Sequence, residues 1–243
     1  MLTSLLSGSN RLKAFTVKAV PFVAWSSPHP LNFRPALPTL GLLCFGLIVF
    51  GIGEALLIAA GLGVSPWTVL AQGIALNLTL SIGWATFLVS IAVLLLWIPL
   101  RQVPGLGTLF NAILIAAALA WSLPLLPQPQ SLPGQLSMVL AGILMVGFGS
   151  GTYLIAHLGA GPRDGLMTGL QRLTNVPIAI VRLTLEISVV AIGWSLGGVV
   201  GIGTLLFAAG IGPAVSLGLY MVAKASGTPS LVPPDETGSK SEA

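Results

Sequence analysis

The sequence predicts an all-α integral membrane protein: six transmembrane helices plus two short re-entrant or interfacial helices, arranged as two inverted three-span repeats. Three observations predict it. The chain is 55% hydrophobic and only 7% charged over 243 residues, with a mean hydropathy of +0.98. A globular domain carries about 25% charged residues, so this chain cannot solvate an ordinary soluble surface. Its Lys and Arg residues fall on one side of a six-span threading, and one short phrase recurs at a spacing of 96 residues.

Spans come first. A hydrocarbon core about 30 Å thick needs roughly 20 apolar helical residues. Six stretches answer to that: Leu40–Ala60, Ile82–Leu100, Leu106–Leu123, Leu136–Ala156, Ile178–Leu196 and Ile202–Ala223. Two further pieces, Pro66–Thr79 and Pro162–Thr174, are shorter and more polar. At about 1.5 Å per residue they reach roughly 20 Å, too little to cross, so they are expected to dip or lie at the interface.

Charge then sets the threading. If the N-terminus is inside and the short pieces do not cross, Arg101, Arg163, Arg172 and Lys224 all lie on the cytoplasmic side. The outer segments 61–81, 124–135 and 197–201 hold no Lys or Arg. Crossing by the short pieces would put Arg101 and Arg163 outside, against the positive-inside rule. Both termini are therefore expected in the cytoplasm of a bacterial plasma membrane. Residues 1–38, with scattered basic residues and prolines, read as a cytoplasmic lead-in rather than a signal peptide. The membrane domain covers 39–224, and the Pro-, Ser- and acid-containing tail 225–243 reads as disordered.

The repeat aligns without a gap. "GLGVSPWTVLAQG" (61–73) answers "HLGAGPRDGLMTG" (157–169), and "GLGTL" (105–109) answers "GIGTL" (201–205). Over 46–109 against 142–205, 18 of 64 positions are identical. The repeats run from about 40 to 126 and from about 136 to 223. Three crossings in each make the second enter upside down, a layout of many secondary transporters, whose substrates bind near the midplane between repeats. That step is an analogy of fold.

The shared phrase opens a helix. Ser65–Pro66 and Gly161–Pro162 read as N-cap and first-turn Pro, after Gly63 and Gly159, which allow a tight bend. Helix starts expose backbone N–H groups and partial positive charge. Inside a membrane these want a partner, and an anionic ligand is one candidate. A plain helix start after a bend is the other reading.

Only one copy carries charge at each matched position. Arg163 faces Trp67 in the alignment, Asp164 faces Thr68, Arg182 faces Thr86, Glu186 faces Ser90 and Glu54 faces Ser150. This suits two units converging on one asymmetric polar site. Glu186 sits near the middle of its span, where a carboxylate marks function by default. Arg182 lies one turn earlier and could pair with it, which is also what a self-neutralising structural pair would do. Glu54 has no opposite charge within two turns, so it is protonated, paired across helices or facing water. Asp164 complements its helix dipole; Arg163 could receive an anion or stand at the headgroups. The candidate polar site is Glu54, Ser65, Pro66, Arg163, Asp164, Arg182 and Glu186.

Other chemistry is thinly supported. Cys44 is alone, so neither a disulfide framework nor a cysteine metal site is expected. His157 has no second ligand at useful spacing. No HExxH, GxSxG or P-loop occurs, so no enzyme activity, cofactor or metal is expected. The net charge of +4 collects in loops and tails as a topology signal, so no nucleic-acid partner is expected.

The phrases "GVSPWTVLAQG", "GAGPRDGLMTGL", "VRLTLE" and "GWSLGGVVGIGTLLFAAGIGP" resemble the YczE-like bacterial membrane proteins, grouped loosely with the YitT type, across roughly 36–222. The resemblance implies a polytopic plasma-membrane protein and assigns no residue a role; no soluble YitT-type C-terminal domain is expected in this sequence, which departs from the YitT pattern. The function expected is a transporter or permease for a small solute, with Glu54 or Glu186 as candidate proton site. The alternative is a membrane scaffold that binds other membrane or biosynthetic proteins through the hairpin carrying Arg163 and Arg172. Beyond the bilayer itself, the expected partners are a small-molecule substrate or a proton.

Overall fold

The computed structural model describes residues 20–227. They form eight α-helices: α1 Leu37–Ala60, α2 Pro66–Leu78, α3 Ile82–Trp97, α4 Leu106–Ser122, α5 Leu132–Ile155, α6 Pro162–Thr174, α7 Ile178–Ser195 and α8 Ile202–Ala225, with a 3₁₀ turn, Leu123–Leu125, after α4. Five helices are long and apolar enough to cross a membrane, or six if α2 and α3, bent by 115° to each other, count as one broken span. The chain is a multi-helix membrane protein. Of the expected spans, the second stops early, at Trp97 rather than Leu100. Pro99 explains it, since it has no N–H to continue the ladder and disfavours helix at Ile98 before it.

The centre is the crossing of α1 and α5, made by glycines. A methyl on Gly46 would stand 2.9 Å from the Gly149 carbonyl oxygen, and one on Gly53 would stand 2.9 Å from that of Gly142. As the residue number rises along α1 its partner's falls along α5, so the two helices run antiparallel. Positions without side chains let backbones approach where lipid offers no hydrophobic drive between helices. On its other side α5 meets α8 in the same way, with Gly218 against the Gly147 carbonyl, and α4 lies on α1. Around this core, α2 packs on α7 and α6 packs on α3, so each short helix leans on a long helix of the other half.

The repeated phrases have a mechanical meaning. Thr108 Oγ1 accepts from Gly105 N at 3.1 Å and Thr204 Oγ1 from Gly201 N at 3.3 Å, closing the first turns of α4 and α8. Gly107 N then donates to Leu158 O, and Gly203 N to Leu62 O, each at 2.7 Å. The start of α4 thus docks on the bend before α6, and the start of α8 on the bend before α2. Those bends hold Gly159 at φ +114° and Gly63 at φ +103°.

Residues 20–36 are less detached than a lead-in suggests. Ser26 Oγ donates to Ile155 O at 2.7 Å and Ser27 N to Ala156 O at 3.0 Å, serving carbonyls the last turn of α5 leaves open. Trp25 Nε1 reaches Ser226 Oγ at 2.8 Å, joining this strap to the end of α8. The basic residues of 1–19 and the tail from 228 lie outside the described residues.

Candidate functional site

The tips of α2 and α6 meet across a cavity of about 410 Å³. All seven residues of the predicted polar site line it. Positions 67 and 163, equated by the 96-residue spacing, touch there: the Arg163 guanidinium lies 5.4 Å from the centroid of the Trp67 ring, a cation–π contact.

Glu54 arrives from α1 and is 1% exposed. Ser65 Oγ lies 2.8 Å from its Oε2 and Thr68 Oγ1 also 2.8 Å. Ser65 holds the N-cap position of α2, yet its hydroxyl does not cap the helix backbone; it serves Glu54. That departs from the expected N-cap bond, and burial explains it. Taking a carboxylate out of water costs several kcal/mol, whereas a hydrogen bond to a charged group recovers about 1.5–3 kcal/mol. The hydroxyl is worth more on the carboxylate than on an amide. The positive end of α2 adds to the same balance.

At the α6 tip the roles of the two chemistries are exchanged. The carboxylate is on the helix, at Asp164, and the hydroxyl comes from the neighbouring span: Tyr153 Oη donates to Asp164 Oδ2 at 2.7 Å. Trp97 fixes the tip by donating from Nε1 to Pro162 O at 2.9 Å, its ring filling the space over Gly165. On α7, Arg182 Nε and Glu186 Oε1 pair at 2.8 Å, the pairing the helical spacing allows.

Every carboxylate facing the cavity is therefore already partnered. The donors are not. Trp67 Nε1 and Thr86 Oγ1 are buried with no hydrogen-bond partner, at 6% and 2% exposure. Arg163 has no ion pair or hydrogen bond among the described residues; Glu54, Asp164 and Glu186 act on it only through their fields. Each unmet buried donor costs about 1–3 kcal/mol, so the cavity is short of acceptors. Among the described residues no cluster of three metal-ligating side chains occurs.

Sequence reasoning did not place Tyr153 or Asn111 in the site, and treated Trp67, Thr86, Ser90 and Ser150 only as uncharged counterparts of charged positions. All six line the cavity. The alignment carried the signal for four of them; an asparagine and a tyrosine in apolar spans carried none. Arg163, for which an anion contact and a place at the headgroups were both open, lines the cavity.

Residues 37–219 match the model of a family of unknown function, DUF6198. The chain belongs to this family. Among curated relatives, an uncharacterized protein of Haemophilus influenzae is 45% identical over 86% of this chain and 94% of its own length. The uncharacterized membrane protein YczE of Bacillus subtilis is 32% identical over 67% and 77%, and YyaS of the same organism 27% over 66% and 82%. The expected YczE-like kinship stands. No solved structure matches the chain significantly.

Proposed function

We propose that this DUF6198 member is a plasma-membrane transporter or permease for a small solute, built as two inverted three-span repeats with both termini in the cytoplasm, and not an enzyme. One observation carries the reading: charged residues and helix tips from both halves of the chain converge on a single cavity. The antiparallel α1–α5 crossing and the exchanged docking of α4 and α8 support the inverted arrangement. A volume of about 410 Å³ falls in the range of small-molecule sites. Glu54 is the proposed proton carrier, since it is the buried acid held by hydroxyls rather than by a cation.

The test is proton flux. Proteoliposomes with an entrapped pH indicator would be challenged with a panel of small carboxylates, phosphates and amino acids under an imposed pH gradient. At least one solute should move protons with wild-type protein and none with Glu54→Gln. A panel that moves no protons and no solute removes the transporter reading. The scaffold alternative keeps only part of its contact hairpin, because Arg163 lines the cavity while Arg172 is exposed.

A further inference from the structure

The two halves do not close around the cavity alike. In the first, α3 shuts against α4: a methyl on Gly83 would stand 2.5 Å from Ala120 Cβ and 2.9 Å from Ala116 O. The corresponding helices of the second half, α7 and α8, make no such crossing. Gly212, which the repeat spacing equates with Ala116, has open space where its Cβ would stand. The cavity reaches this gap. Arg182 and Glu186 of α7 form one lip, and Phe207, Ile211 and Gly212 of α8 form the other.

The depth of that gap matters. Glu186 is midway along the 18 residues of α7, and Gly212 midway along the 24 of α8. Both lips are at mid-span, so the opening faces hydrocarbon rather than water. A ligand crossing it must be apolar where it passes Phe207 and Ile211. Inside, the requirement is opposite. Trp67 N–H and Thr86 O–H are buried donors without acceptors, and the Arg163 charge has no ion-pair partner among the described residues.

We propose that the cavity binds an anionic amphiphile, a carboxylate or phosphate-monoester head set against Arg163, Trp67 and Thr86, with its hydrocarbon chain leaving between α7 and α8 into the bilayer. The proposal deepens the transporter reading and shares its site, but it is a statement about binding and stands or falls without transport.

The experiment uses the full chain in phosphatidylcholine nanodiscs, with thermal unfolding and competition binding as readouts. Dodecyl phosphate and dodecanoate would be compared with inorganic phosphate and acetate, and dodecyltrimethylammonium would serve as the cationic counterpart. The expected result is that the long-chain anions bind at least tenfold more tightly than the soluble anions, with no binding of the cation. Arg163→Gln should weaken the long-chain anions at least tenfold, and Thr86→Val, close in shape and without the donor, should weaken them several-fold. Gly212→Leu should block the gap and remove the advantage of chain length. Equal affinity for soluble anions would overturn the proposal in favour of a water-borne solute; equal affinity for the cation would overturn it as simple apolar partition. Binding unchanged in both Arg163→Gln and Thr86→Val would overturn the head-group assignment. Amphiphile binding without any proton or solute movement keeps this inference and sinks the transporter, while transport of a soluble solute without amphiphile binding does the reverse.

Discussion

Gly63 and Gly159 hold φ values of +103° and +114°, where any side chain is strained whatever the space around it. There is no space either: a methyl on Gly63 would stand 2.5 Å from Gly201 N, and one on Gly159 would stand 2.8 Å from Thr108 Oγ1. Replacing either by Ala should cost more than the roughly 1–2 kcal/mol of left-handed backbone strain alone. The expected outcome is a lower unfolding midpoint in detergent for Gly63→Ala and Gly159→Ala, and an unchanged or raised one for Gly41→Ala, whose Cβ would meet nothing. If Gly159→Ala melts like Gly41→Ala, the bend does not carry the docking of α4. These glycines were legible because they recur in phase; so were Glu54 and Glu186, since a carboxylate stands out in an apolar run. The orphaned donors were not, because a tryptophan or threonine in a membrane helix is ordinary until its partners are seen to be missing.

Helices in this chain are joined by close backbone contact and by polar end-fittings, and each can be tested apart. Gly151 faces the backbone of Gly218 and Leu219 on α8, where a methyl would already stand 2.5 Å from Leu219 N. Gly151→Leu should therefore part α5 from α8 and abolish a monodisperse folded species in size-exclusion chromatography. The end of α5 carries a gentler device. His157, just beyond the helix, stacks on Phe22 at 3.8 Å and reaches Pro21 O at 3.2 Å through Nε2. Burial pushes its imidazole below the ordinary value, partly opposed by the Pro21 bond. The folded value thus lies below the unfolded one of about 6.5, so the strap holds the neutral ring. Its contribution is complete above about pH 6.5 and is lost as pH falls through the folded value. Proteolytic nicking within residues 20–36 should rise from pH 7 to pH 5 in the wild type, whereas His157→Asn should nick at a rate independent of pH. Apolar runs showed where these helices lie, but the strap was invisible in sequence: its serines act on α5 carbonyls across more than a hundred residues of chain.

At the scale of the whole molecule, the question is whether two halves of opposite orientation share one membrane. The charge pattern and the odd number of crossings argue for it from sequence. The antiparallel contact of matched glycines argues for it from geometry, independently of any charge. What the sequence could not supply is the inequality of the halves, α3 shut on α4 while α7 stands away from α8, because the aligned residues are alike enough to predict symmetry. Leu78 and Thr174 end the two short helices, occupy matched positions and are both exposed. With Cys44 replaced by Ala, a single Cys would be placed at Leu78 or at Thr174 and treated with a membrane-impermeant maleimide, in intact and then permeabilised cells. Inversion requires that Leu78→Cys label from outside and Thr174→Cys only after permeabilisation. Labelling of both from one side would make the halves parallel. The convergence of Trp67 and Arg163 would then have to arise without a two-fold relation, and a mechanism exposing one cavity to two sides in turn would lose its structural basis.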